Sequence, residues 1–425
     1  MLSRNRVPIL CCALLLFNSI AVAQSSEDKA IRSISLVDAV SRTMAHSPEL
    51  AVFDYQLDMQ RADTEQAGLG PSPEFNLSIE DAAGSGSYQG SDNAQATLGI
   101  AWIIEGDIRQ GRVDVAQAAT QSVRLQKDVK RLDLAADTAR LYASCLARQA
   151  RMALAEQSLS LAEDTVSALR KRLRAGGTAA AELARAQAEE ARRKLLVEDM
   201  EHELVSAYRL LAAQWGDTEV DFDRLSGDIF SLPRALPYHA FAARLEQNPA
   251  IMALFSERSI RQAELKLQQA QSSAPWKLNL GVRHYEAVGE QALVAGISIP
   301  FGERSRNQYA IARAQAALSQ LSAQEQALRV RYQSSLFVSY QEYQHSLHRI
   351  DTYKTAIIPR LEKALKDTRR AYNIGRYSYL EWQSVQSELL AAQLALLEAS
   401  VDAHLKIIEI ERLSGVPVAP STTGS

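Results

Sequence analysis

The chain has very little with which to cross-link itself. It carries three cysteines in 425 residues, and Cys11 and Cys12 fall in the opening run, leaving Cys145 alone in the remaining chain. One thiol forms no intrachain disulfide, so packing must supply the stability. Proline (12) and glycine (19) are scarce and cluster where turns are expected, which favours long uninterrupted elements. Neither sign of charge dominates. The 47 Lys and Arg stand against 50 Asp and Glu, a formal −3, and that gives no electrostatic reason to expect nucleic acid as a partner. Beyond the opening run, no apolar stretch approaches the ~20 residues of a membrane helix. Motifs of enzymes are missing as well: no nucleophile elbow, no HExxH and no phosphate-binding glycine loop, Gly176-Gly177 reading as a turn. Of the seven histidines only His345 and His348 share helical i, i+3 spacing, and no cysteine or acidic cluster completes a ligand set. No enzyme activity, metal site or cofactor is expected.

The opening run itself is informative. Arg4 and Arg6 precede the apolar stretch Val7 to Phe17, and Ala21-Val22-Ala23 precedes Gln24. A basic start, a short apolar core and an A-x-A site predict a secretory signal peptide over 1–23, too short to be a retained span. Its removal takes Arg4 and Arg6 and moves the charge from −3 to −5.

The stretch from Ala371 to Gly415 organises the rest. A helix is expected to end near Gly375, a turn to run through Arg376 to Ser378, and a second helix to run to Ser414. Ser378 is a good N-cap, with Glu381 three residues on for a capping box. Leu390, Leu394, Leu397, Val401, Leu405 and Ile408 form one stripe at spacings of four and three. Subtracting 199 from each position recovers the same hairpin upstream: Gly375 falls on Gly176, Glu381 on Glu182, Gln386 on Gln187 and Gly415 on Gly216. The chain reads as a duplication.

Each half opens with helix, broken at Ser47-Pro48 in one and Asn248-Pro249 in the other. The apolar period then changes to two, through Phe75, Leu77 and Ile79 and through Leu98, Ile100, Trp102 and Ile104. In the second half it runs through Leu278, Leu280 and Val282, then Leu293, Ala295, Ile297, Ile299 and Phe301. Each half therefore holds one strand hairpin of roughly membrane-crossing length, ~9–11 residues. Very long helical segments come next, Ile108 to Ala175 and Arg304 to Ile374, each about 100 Å at ~1.5 Å per residue. The organisation expected is a signal peptide (1–23), a first repeat (35–216; strand hairpin 74–104, tip 174–178), a linker (217–236), a second repeat (237–416; strand hairpin 277–301, tip 373–378) and a polar tail (417–425).

Only strands could cross a bilayer here, yet four strands cannot close a barrel, which needs about eight. Either the hairpins form a soluble sheet packed on helices, or several chains share one barrel.

Signal peptide, two repeats, a strand hairpin before a very long helical hairpin in each, and the tips YNIG…S and RAGG…T together resemble the TolC-type outer membrane efflux family over about Ser35 to Val416. The SPEL, PSPEFNLSIE and EGDIRQGR segments look most like its CzcC-like heavy-metal branch. The resemblance implies a mainly helical fold with a membrane β-barrel: a homotrimer with a twelve-stranded outer-membrane barrel, four strands per chain, continued by a long helical tunnel through the periplasm. It further implies a passive duct for heavy-metal cations, placed in outer-membrane lipid and joined to a periplasmic adaptor and an inner-membrane RND pump. A drug or protein duct of the same fold is the alternative, and a periplasmic coiled-coil adaptor or scaffold the rival of another class. Two hairpins in duplicated register argue against that rival.

Two groups of residues are candidates for function. The tips, Arg174, Gly176, Gly177 and Thr178 with Asn373, Gly375, Arg376 and Ser378, are expected to dock the adaptor, although the glycines are also simple helix caps. Glu182 and Glu381 would give a trimer six carboxylates near the tunnel mouth, a gate, unless both are capping-box glutamates. The resemblance makes Tyr372 the tyrosine that helps hold the mouth shut, with Arg185 and Arg376 as candidate latch partners. Ser384 stands where relatives can carry a further acidic residue, so a second acidic ring is not expected.

Overall fold

The computed structural model describes residues 32–232, 235–273, 275–300 and 303–416. The signal peptide, the polar tail and Phe301 lie outside them.

After a two-residue strand β1 (Ser33–Ile34), Ser35 caps α1 (Leu36–His46) with a full capping box. Asp38 N–H donates to Ser35 Oγ at 3.1 Å, and the Ser35 hydroxyl (2.6 Å) and N–H (3.1 Å) both donate to the Asp38 carboxylate, which holds that carboxyl below its usual range. Pro48 starts α2 (Pro48–Gly68), where a missing N–H costs nothing. The first strand hairpin is β2 (Glu74–Glu80) and β3 (Gln95–Ile104). Next comes α3 (Asp107–Arg174), 68 residues without interruption, and α4 (Ala180–Ala212) returns along it. A connecting segment carrying β4 (Arg224–Leu225), parallel to β1, leads to the second half. There α5 (Tyr238–Ala242) and α6 (Pro249–Ala270) precede β5 (Trp276–Tyr285) and β6 (Glu290–Ser298). The long hairpin of this half is α7 (Glu303–Thr352), α8 (Ile358–Asn373) and α9 (Tyr379–Ser414).

Three details differ from expectation. The second hairpin's last strand stops at Ser298, three residues before 301. The helix expected from 237 is split into α5, a 3-10 turn at Leu245–Gln247 and α6. The long helix of the second half is interrupted by a π turn at Tyr353–Ile357. Pro359 explains the last: it donates no hydrogen bond, and its ring conflicts with the carbonyl four residues back, so the wider turn sits immediately before it. The register of 199 puts Ser160 at that position in the first half, where α3 runs on unbroken.

The two C-terminal glycines of the repeats do the same work. Gly216 (φ 88°) and Gly415 (φ 69°) both end a helix in the left-handed region. Asn248 then ties the second half together: its side-chain amide donates to the carbonyls of Arg412 and Leu413, both at 2.9 Å, while its oxygen caps α6 by accepting from Ala250 N–H.

The core lies at mid-height, where the halves meet. Small residues of α3 (Ala136, Ala139, Ala143) let α9 approach closely with Leu397 and Ile408, and Ile229 of the connecting segment packs into the same cluster. The connecting segment is thus part of the core. Phe222 and Leu225 are buried against Tyr142, Tyr208 and Trp215, and the Tyr142 hydroxyl bonds the carbonyls of Ile34 (3.0 Å) and Ser226. Across the seam Arg412 reaches Asp133 at 3.1 Å and Glu409 at 2.8 Å, and Glu409 also receives Arg140 at 2.6 Å. These bonds hold the Glu409 carboxyl below its usual range despite its burial. Cys145 sits in this core, its thiol pushed up to about 11 by burial, and is accordingly unreactive.

Candidate functional site

Two regions are candidates for function: the sheet at one end of the rod and the helix tips at the other. In the sheet the two hairpins join side by side in the order β2-β3-β5-β6, every pair antiparallel. Strand periodicity gives the hairpins but not their joining across the repeats. The register places Phe75, Ile100, Leu280 and Ala295 in one cross-strand row, and Leu77, Leu98, Val282 and Leu293 in the next. Trp102, Leu278 and Ile297 continue the face, and Trp276 lies opposite Ile104. This apolar face is bare, with Phe75 78% exposed and Leu293 89%. The opposite face is polar. Lys277 meets Glu74 at 2.7 Å, and Arg283 meets Glu80 at 3.0 Å, Thr97 Oγ1 at 2.8 Å and Gln95 Oε1 at 3.0 Å. Among the described residues, β2 and β6 each leave one edge without a strand partner. An apolar sheet face with open edges is stable only where neighbouring strands cover the edges and lipid the face.

Gly99 and Gly281 face each other across β3 and β5. A Cβ on Gly281 would lie 2.8 Å from the Leu98 carbonyl oxygen and 3.1 Å from Gly99 Cα, all backbone. The strands approach here as only glycine allows.

At the far end each tip is a glycine-capped turn. Gly176 (φ 71°) donates to the Leu173 carbonyl at 3.0 Å and Gly177 to that of Arg172 at 2.9 Å. Gly375 (φ 77°) and Arg376 repeat the pattern onto Tyr372 (3.0 Å) and Ala371 (2.9 Å). The returning helices then differ. Ser378 caps α9 in a complete box: Glu381 N–H donates to Ser378 Oγ, and the Glu381 carboxylate receives Ser378 N–H at 2.7 Å. These bonds hold the Glu381 carboxyl below its usual range. In the first repeat the N-cap position is Ala179, which has no oxygen to offer, and Thr178 donates its hydroxyl to Glu182 instead. The capping-box alternative therefore holds for Glu381 and fails for Glu182.

Of the candidate latch residues, Tyr372 is buried, stacked on Trp382 with ring centroids 5.2 Å apart, in a cluster with Val166, Leu169, Ala186 and Tyr379. The cation it meets within the chain is Arg172, whose guanidinium lies 4.5 Å from the ring centroid and donates to the Tyr372 carbonyl at 3.1 Å. Arg185, Arg376, Arg174 and Asn373 are exposed. Sequence reasoning missed Arg172 and Trp382. The signal available was weak, an arginine one position off the register partner of Tyr372. Behind this cluster a cleft of about 430 Å³ separates the two hairpins, lined by Thr165, Glu189, Arg193, Tyr379 and Gln386 among others. The hairpins thus touch at the tips and part above them.

Residues 39–217 match the family described as outer membrane efflux protein. The cobalt-zinc-cadmium resistance protein CzcC of Cupriavidus metallidurans is 23% identical over 418 residues, spanning 96% of this chain and 99% of that protein. The nickel-cobalt-cadmium resistance protein NccC of Alcaligenes xylosoxydans is 26% identical over 271 residues, 63% of this chain and 61% of that protein. Among solved structures, the outer membrane protein VceC of Vibrio cholerae superposes with a TM-score of 0.72 at 19% identity, covering 90% of this chain and 97% of that one. The MtrE outer membrane channel of Neisseria gonorrhoeae gives 0.70 at 15%, covering 92% and 91%. With its duplicated helical hairpins and its two-faced four-stranded sheet, the chain has the fold of these outer membrane channels.

Proposed function

We propose that three copies of this chain form the outer-membrane duct of a tripartite efflux system that exports heavy-metal cations. One observation carries the reading: a four-stranded sheet, apolar on one face and charged on the other, with both edges open, mounted on helices of about 100 Å. Three such sheets give twelve strands and close a barrel whose lipid face is the Phe75–Leu293 side and whose lumen is the Glu74–Lys277–Arg283 side. The helices continue the lumen across the periplasm toward an adaptor and an inner-membrane RND pump. The pump supplies the energy and the duct performs no chemistry. Relatives named for cobalt, zinc, cadmium and nickel resistance support the choice of cargo.

Within this reading Arg174, Gly176, Gly177, Thr178, Asn373, Gly375, Arg376 and Ser378 are the surface read by the adaptor. Glu182 and Glu381, one turn into the returning helices, bring six carboxylates to the mouth of the trimer. Tyr372, gripped by Arg172, holds the two hairpins of a chain together there, and Arg185, three residues beyond Glu182 in α4, is exposed. The test is complementation of a strain lacking its metal-efflux duct. Wild type should restore growth in cobalt, zinc or cadmium, and failure with all three despite trimer in the outer membrane would reject the cargo. The cation-to-anion permeability ratio of Glu182→Gln/Glu381→Gln tests the carboxylates: no change would return them to local helix chemistry.

A further inference from the structure

The gap between the two hairpins extends well above the tips. The cleft of about 430 Å³ runs on into a second of about 260 Å³, the two sharing Leu154, Ser158, Arg193 and Leu390, so that one furrow follows the first hairpin beside α9. From Thr165 up to Arg151 it tracks α3 for about 21 Å, at ~1.5 Å per residue. Leu154, Leu161, Leu196, Leu390 and Leu394 line it, each keeping part of its surface uncovered. Uncharged Gln157, Gln383 and Gln393 stand among them. A concave, largely apolar furrow of this volume with a few placed polar groups has the make-up of a small-molecule site.

Charge gives the furrow a direction. The charged side chains lining it are Asp164, Glu189, Arg193, Arg151 and Glu398. Asp164 is exposed at the lower end. Midway, Arg193 and Glu189 neutralise each other at 2.6 Å. At the upper end Glu398 is exposed and keeps its water, whereas Arg151 is half-buried and has no ion pair or hydrogen bond among the described residues. A partly desolvated guanidinium without a partner is matched by a carboxylate, which its planar fork holds through two parallel hydrogen bonds. An acidic group at the lower end and a free cation at the upper end place an anionic head beside Arg151 and an apolar body below it.

We infer that the furrow binds a single-chain carboxylate amphiphile, its head on Arg151 and its alkyl chain laid along Leu154, Leu161 and Leu390 toward Thr165. Dimensions favour this occupant over a protein segment. An α-helix with its side chains is about 10–12 Å across and fills roughly 1,600 Å³ over that length, far more than the furrow offers. An extended chain of about sixteen carbons, at ~1.25 Å per bond in the zigzag of ~1.5 Å C–C bonds, spans about 19 Å and fits. The site lies within one chain, between its own two hairpins, and goes beyond the role of duct. Occupied, it bridges the hairpins above the tie between Arg172 and Tyr372.

Trp382 reports on the lower end, since its ring lies 6.3 Å from that of Tyr379, which lines the furrow. The test uses the full-length protein in nanodiscs with Trp102→Phe and Trp276→Phe, so that no indole remains on the sheet; Trp215, buried in the core, serves as the unquenched reference. The probe 15,16-dibromohexadecanoate, whose bromines sit at the tail, should quench Trp382 saturably, and 2-bromohexadecanoate, brominated beside the head, should not. Unlabelled hexadecanoate should reverse the quenching, and hexadecyltrimethylammonium should compete at least ~10-fold less well. Arg151→Gln should weaken binding by about 10-fold or more. Ser158→Phe, at the waist shared by both cavities, should abolish it, and Arg151→Gln alone decides if that variant misassembles. Absence of saturable quenching overturns the inference, as does quenching that survives unchanged in Arg151→Gln. Equal competition by the ammonium, or quenching by the 2-bromo acid in place of the tail-brominated one, removes the head from Arg151 and overturns it too.

Discussion

Arg172 lies over the ring of Tyr372 at 4.5 Å and bonds the carbonyl of the same residue at 3.1 Å, tying together two tips that are 200 positions apart in sequence. Arg172→Ala removes both interactions, a loss of roughly 1–2 kcal/mol at a partly buried site. Spin labels on the two tips of one chain should then report a longer and broader distance. Tyr372→Phe should change little, because its buried hydroxyl has no hydrogen-bond partner within the chain. Equal effects from the two variants would place that hydroxyl in a bond to a neighbouring chain.

The glycine pair across β3 and β5 gives a second expectation. Gly281→Ala forces a Cβ to 2.8 Å from the Leu98 carbonyl, and backbone cannot move aside without breaking the ladder. The cost should be about 1–3 kcal/mol or more per chain, read as a lower fraction of heat-resistant trimer on gels. Gly296→Ala meets only Asn279 side-chain atoms at 3.9 and 4.0 Å and should be neutral.

Adjacent residues of β5 test which face meets lipid. Leu280 belongs to the apolar rows and Asn279 to the opposite face. A lysine at 280 should cost about 2–4 kcal/mol if it lies near the bilayer midplane, and a lysine at 279 close to nothing. Urea titration of refolding into vesicles measures both, and the reverse order would turn the sheet inside out.

Acid should loosen the second tip. Bonds from Ser378 hold the Glu381 carboxyl low in the fold. A carboxyl held low contributes stability that is present above its unfolded pKa, ~4.3, and is lost as pH falls through the lower folded value. Hydrogen-exchange protection in the first turn of α9, corrected for intrinsic rates, should therefore drop below about pH 4. In Glu381→Gln that drop should vanish.

Much of this was legible in the sequence because it is written in local chemistry. Gly375, Ser378 and Glu381 specify a cap, a turn and a box within seven residues, and Phe75, Leu77 and Ile79 specify a face by period alone. What escaped depends on contacts between distant segments. Nothing local to Gly99 announces that Gly281 will oppose it, and nothing in KRLR singles out Arg172 as the residue that meets Tyr372. Glu182 differs from Glu381 in a way the sequence does show. The register that pairs it with Glu381 also puts Ala179 where the second repeat has Ser378, and a methyl cannot cap. Nothing local to the connecting segment announces that Phe222 and Leu225 will bury into the first repeat and Ile229 between the two.

The central claim is that this chain becomes a duct by sharing a barrel among three copies, and planar-bilayer recording on trimer extracted from outer membranes tests it most directly. The account predicts detergent-dependent extraction, a trimer on sizing and discrete conductance steps that enlarge in Arg172→Ala, whose tips are no longer tied. Recovery of a soluble monomer from the periplasm, or an intact membrane-inserted trimer that passes no current even with Arg172→Ala, would contradict it.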